Sequence, residues 1–254
     1  MLSIHLSSIL FLSLFRIILF VSNTSHVTET GHNTSLFFQA LLRGLQFDNL
    51  IACYVLALPL LLWVVSAITG KWMKGLVCFT NSYFIIVNAL LFGISTIDIH
   101  YFSYFFSHID SGAFGWLKFA GTTAGMVFED LSNYLFIGLH LALVSVFAAL
   151  TIRFGKQLRG QYPEGYPDVK LLPKVICGIV ALGLCFLGIR GTFQRYPLSV
   201  SYAYFCDDSF FNQLPVNPAF YLIKSYQHSL KQNNNVDNLM ESQTAMTNAK
   251  AFLG

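Results

Sequence analysis

Charged side chains are scarce in this chain. Asp, Glu, Lys and Arg make up only 11% of its 254 residues, while 55% are hydrophobic. A soluble domain carries about 25% charged residues. Folding a chain this size hides only about 70–75% of the surface its unfolded form exposes. So much apolar surface excludes an exterior wholly in water and implies one that faces lipid. Cysteine is sparse too: Cys53, Cys78, Cys177 and Cys185 fall inside apolar runs, and only Cys206 stands clear of them. That placement implies no disulfide framework, and there is no C-x-x-C and no zinc-type spacing. The nucleophile elbow, the phosphate-binding glycine loop, the dinucleotide fingerprint and H-E-x-x-H are missing as well. The sequence thus offers no catalytic residue, no cofactor site, and no mark of a nucleic-acid partner.

What it has is long apolar runs. Crossing a bilayer core as a helix takes roughly 20 residues, and five stretches qualify: Leu2–Val21, Asn49–Ala67, Leu76–Ile97, Leu131–Ile152 and Val175–Ile189. The last is short unless it extends back to Leu171 or past Arg190. A lone strand would leave its backbone unpaired in lipid, so these runs read as helices. The expected fold is an all-α membrane protein with five transmembrane helices over residues 1–189. An extracytoplasmic juxtamembrane helical segment follows over 190–254. The first run also suggests a secretory signal, but it starts without Lys or Arg, is interrupted by Arg16, and lacks an A-x-A-like cleavage site. It is read as a retained helix whose Arg16 snorkels to the interface.

Lys and Arg set the orientation. Lys71, Lys74, Arg153, Lys156, Arg159, Lys170 and Lys174 fall on one side of the spans, against only Arg43 and Lys118 in the opposite loops. By the positive-inside rule the N-terminus is cytoplasmic and residues beyond Arg190 are extracytoplasmic. On that outer side, residues 98–118 are dense in aromatics and read as an interfacial belt. Asn23 and Asn33 each open an N-T-S sequon, relevant only to a eukaryotic secretory route. In the tail, Asn217-Pro218 is a good helix opening, Asn as cap and Pro at the first turn. Phe220, Ile223, Tyr226 and Leu230 then recur on one amphipathic face.

Polar residues at the span ends are the candidates for a site. Asp98, His100, His108 and Asp110 form a nearly mirror-symmetric D-x-H…H-x-D. Carboxylate and imidazole together suit a divalent cation, although polar residues closing a membrane helix are routine. Asp48 is expected to cap the second span and Arg43 to meet surface phosphates. Glu129 and Asp130 suit the start of the fourth span. Asn88 is placed for an interhelical hydrogen bond, and Pro59 for a kink. No acidic or basic residue stands near the middle of spans two to five, which disfavours an ion-coupled transporter.

Three stretches carry a family likeness: "RGLQFDNLIACYVLALPLLL", "IDIHYFSYF" and "RGTFQRYPLSVSYAYF" followed by "NQLPVNPAFYLIKS". In this order they resemble the membrane half of lipoteichoic acid synthase-like proteins of the sulfatase and alkaline phosphatase superfamily, from about Arg43 to Phe252. The resemblance implies a domain of the bacterial cytoplasmic membrane that holds a metal-dependent catalytic domain at the outer surface. Such proteins move a phosphoglycerol or phosphoethanolamine headgroup from a phospholipid, through a Thr or Ser nucleophile beside a metal such as manganese or zinc. The family's soluble half opens with a buried strand leading to a Glu-Ser metal site. Here only Glu241-Ser242 matches, and it follows the polar "NNNVDN" rather than a strand. The resemblance is therefore to the anchor without the enzyme, and no catalytic or metal residue carries over. Arg43, Asp48, Asp98, His100 and Arg190 are the candidates for contacting lipid headgroups or a docked partner. The implied partners are membrane lipid, phospholipid headgroups at the outer face, and a C-terminal catalytic domain. The alternative is a self-sufficient small multi-pass transporter or structural membrane subunit.

Overall fold

The computed structural model describes residues 1–27, 33–70, 74–129, 131–161, 170–235 and 242–253. Lys71, Asp130 and Glu241, and the side chains of Asn33 and Lys74, lie outside the described residues. Nine α-helices are described: α1 (Leu2–Ser22), α2 (Asn33–Thr69), α3 (Lys74–Phe105), α4 (Ala120–Glu129), α5 (Leu131–Gln161), α6 (Leu171–Arg190), α7 (Ser209–Gln213), α8 (Pro218–Asn235) and α9 (Ser242–Leu253). No strand occurs among the described residues. Helices α1, α2, α3, α5 and α6 are long and apolar enough to cross a membrane, so the chain is an all-α, multi-pass membrane protein.

Helix α1 runs through the middle of the bundle. Phe11 on α1, Phe92 on α3 and Phe147 on α5 form a three-way aromatic contact, with centroids 5.5, 5.6 and 5.4 Å apart. Edge-on and offset rings at such separations add to what area burial alone contributes. Ile4, Leu12, Phe15 and Leu19 complete the buried face of α1. Helix α6 takes the longer of the two lengths considered, starting at Leu171. It stops at Gly191, whose φ of 72° suits glycine. A β-carbon there would press on Leu198 and Leu50.

Helix α2 departs most from expectation. Its 37 residues, at about 1.5 Å rise each, span about 55 Å, against about 30 Å of hydrocarbon. It is continuous through Pro59. Asp48 therefore sits well inside the helix and caps nothing. The apolar run begins at Asn49, but the helix begins sixteen residues earlier, at Asn33, on a polar-flecked stretch that hydropathy does not mark. Residues 98–118 likewise are not one loop. Helix α3 continues to Phe105, the chain turns at Phe106 with φ of 50°, and a 3₁₀ stretch covers Ser111–Phe119 before α4. Glu129 consequently ends α4 instead of opening a span. Asn23 is buried, accepting from Ser103 Oγ at 2.9 Å and donating to Leu19 O at 3.1 Å, so that sequon is closed to glycosylation.

The first part of the expected connector shares the bundle's core. Leu198, Ala203, Phe210, Phe211, Leu214, Val216 and Phe220 are all buried in the same hydrophobic cluster as α1, α2 and α3. Asp208 starts α7 by accepting from the Phe210 and Phe211 amides at 2.8 and 3.1 Å. Phe210 then meets Phe102 of α3 at 5.8 Å, and Phe220 meets Phe47 of α2 at 5.2 Å. The tail thus folds back across one end of the bundle.

Candidate functional site

Where the tail crosses, two buried charged pairs receive it. Arg16 of α1 does not snorkel; it is 5% exposed and faces Asp48 of α2, which is fully buried. The guanidinium grips both carboxylate oxygens, Nη1 to Oδ2 at 2.5 Å and Nη2 to Oδ1 at 2.8 Å. Its remaining donors point at the tail: Nε to Leu214 O at 3.0 Å and Nη2 to Pro215 O at 3.1 Å. Asp48 also accepts from Ser13 Oγ at 3.0 Å and from Asn217 Nδ2 at 2.9 Å. A buried ion pair is tolerable when its lone pairs and protons are satisfied in this way.

Asn217 joins this pair to the next helix. Its Oδ1 accepts from the Ala219 and Phe220 amides at 3.0 and 3.3 Å, so it caps α8 as the sequence predicts. Its amide nitrogen meanwhile holds Asp48. Gly44, one turn before Asp48 on the same face of α2, gives the guanidinium room; a β-carbon there would collide with Arg16.

The second pair is Asp98 with His108, 2.8 Å from Oδ2 to Nδ1. The other nitrogen, Nε2, donates to Gln213 O at 3.0 Å, and Asp98 Oδ1 accepts from the Ile109 amide at 2.8 Å. Burial by itself would lower the His108 pKa. The Asp98 charge and hydrogen bond, with the Gln213 carbonyl, outweigh it and raise the pKa above the ordinary histidine value. With acceptors at both ring nitrogens, the imidazolium is the form that uses both N–H groups. Arg16, Asp48, Asp98, Leu214 and Asn217 all line one small cavity, so the two pairs form a single polar layer under residues 213–217.

The remaining candidates are placed apart from this layer. Arg43 donates to Tyr202 O at 2.7 Å and lies over the Tyr202 and Phe205 rings at 5.1 and 4.9 Å. It fastens the tail to α2. Arg190 closes its own turn, donating to the carbonyls of Thr192, Gln194 and Arg195. His100 packs against Tyr104 and Phe136 at 5.1 and 5.4 Å, and Asp110 accepts from the Gly112 amide. The mirror motif is thereby split, with only Asp98 and His108 meeting. Among the described residues no group of three His, Cys, Asp or Glu is placed to hold a metal. Asn88 bonds within its own helix, to Phe84 O at 2.9 Å, and not across helices.

No protein-family model, curated protein or solved structure matches the chain. Its chemistry must be read from the geometry alone. In the polar layer the described donors and acceptors are turned toward one another and the tail, Ser13 Oγ included, which is spent on the Asp48 carboxylate. It is a clamp. Sequence reasoning missed Arg16 and Asn217 as its partners, although a charge inside an apolar run signals that a partner exists.

Proposed function

We propose that this chain is the membrane-anchoring domain of a lipoteichoic acid synthase-like phosphoglycerol or phosphoethanolamine transferase of the sulfatase family. In this reading it sits in the bacterial cytoplasmic membrane with its tail on the extracytoplasmic side. The observation that carries the anchoring role is the clamp. Arg16, Asp48 and Asn217 tie the start of α8 to α1 and α2 through buried bonds, so α8 starts from a fixed point on the bundle. Positioning of this kind is what a headgroup transferase needs from a membrane domain. The lysine and arginine asymmetry supports the sidedness, and the ordered sequence likeness supports the family. The catalytic half, continuous with this chain or carried by another, would bring the nucleophile and a divalent metal to ionise it.

Two measurements test this. In liposomes of phosphatidylglycerol and phosphatidylethanolamine with manganese, the purified chain alone should release no headgroup, and measurable turnover would retire the anchor reading. In cells that make the chain, deleting it should abolish phosphoglycerol or phosphoethanolamine transfer to envelope acceptors. Unchanged envelope modification would equally overturn the proposal.

A further inference from the structure

A groove of about 410 Å³ lies where α8 crosses α2 and α3. Its floor is apolar, with Tyr54 and Val55 from α2 and Val87 and Leu91 from α3, while Ile223 and Lys224 of α8 form its rim. Tyr54 is 56% exposed and Ile223 48%, so the groove opens sideways, between two helices that cross the membrane. Its size is that of a small-molecule site, and its floor suits hydrocarbon.

The rim has one sign of charge. Lys224 is exposed, with its ammonium 5.6 Å from the Phe220 ring centroid, and among the described residues it has no ion-pair partner. His228 and Lys231 follow at helical spacing, and α8 contains no Asp or Glu. The amphipathic face expected of α8 is only partly used by the protein itself. Phe220 is buried, but Ile223, Tyr226 and Leu230 stay about half exposed, at 48%, 46% and 46%. A basic stripe beside an apolar face describes a helix lying in the headgroup zone. Tyr226 against Phe114 at 5.4 Å and Ser225 bonded to Ser111 hold it there.

We infer that this groove binds one anionic phospholipid, with an acyl chain along Tyr54, Val55, Val87 and Leu91 and the headgroup phosphate at Lys224. Charge complementarity selects the occupant. A zwitterionic lipid would fill the same floor but gain less from a rim whose one charged lining residue is Lys224, with no acid among the lining residues. The inference does not depend on the phosphotransferase reading, since it concerns a resident lipid and no reaction.

The test uses the full chain in nanodiscs of phosphatidylcholine, doped with phosphatidylglycerol carrying a photoreactive group midway along one acyl chain. Crosslinks, mapped by mass spectrometry, should concentrate on Tyr54, Val55, Val87 and Leu91. Lys224→Gln should lower their yield about fivefold, the weight of one lysine near an anionic headgroup. A phosphatidylcholine probe with the same photoreactive chain should label the groove more weakly and ignore the substitution. Equal labelling by both probes overturns the inference. So does labelling of Leu141, Ile179 and Leu184, which face lipid elsewhere on α5 and α6, as strongly as of the groove. Because Lys224 is exposed, the variant should fold, and the two-probe comparison in the unaltered chain decides the matter even where it does not.

Discussion

At the scale of single residues, the dipeptide Arg43-Gly44 and the nearby Asp48 have three separate jobs. Arg43 holds the tail at Tyr202, Gly44 makes space, and Asp48 anchors Arg16. Asp48→Ala should cost about 3–5 kcal/mol, because it strands a buried guanidinium. The double change Arg16→Met with Asp48→Leu should cost much less than either single one. Thermal denaturation of the three variants in detergent, followed by circular dichroism, checks this; a double variant as weak as the singles would contradict it. Gly44→Ala should destabilise by about 1–3 kcal/mol through overpacking, and Arg16→Met should relieve most of that loss in the same assay. None of these partners could be read from local sequence. Asp48 looks like a cap because hydropathy starts at Asn49, and nothing nearby announces that Arg16 will face it.

At the scale of elements, the spanning helices were legible and the tail's packing was not. Apolar runs mark α1 and α6 nearly to their ends, and find α3 and α5 although these continue past Ile97 and Ile152 to Phe105 and Gln161, since lipid demands both the length and the hydrogen-bonded backbone. The Asn217-Pro218 opening of α8 was equally readable, because a cap is a local bond. Residues 198–216, by contrast, alternate short apolar and polar patches, and their burial depends on contacts with helices more than a hundred residues away. The link between α3 and the tail should respond to pH. His108 has a raised pKa in the folded state, so its contribution is full below the unfolded value of about 6.5. It is lost as pH climbs through the higher folded value. Protection of the amides at residues 211–216, taken relative to the intrinsic base-catalysed exchange rate at each pH, should therefore fall at alkaline pH, and His108→Gln should flatten that dependence. Protection unchanged across that range in the unaltered protein would contradict the assignment.

At the scale of the whole molecule, α1, α2, α3, α5 and the inserted tail share a single core, and α6 packs on α2 beside it. Ending the chain after Ser199 would take away the Leu214 and Pro215 carbonyls and the Asn217 amide from the buried charges. Losing several such bonds, at about 2–4 °C per kcal/mol for a chain of this size, should lower the midpoint by about 10 °C or more. The Arg16→Met, Asp48→Leu background should lose less on the same truncation, and an equal loss would mean that the charges do not depend on the tail. The same clamp also sets an order of assembly. Asn217 lies 169 residues after the carboxylate it holds, and a ribosome adding about 5–20 residues per second takes roughly 10–30 s to cover that interval. For that long Arg16 and Asp48 are already in place with their last partners unmade. Nascent α1 and α2 must therefore shelter each other's charge, and the tail closes the structure only when synthesis of the membrane helices is over.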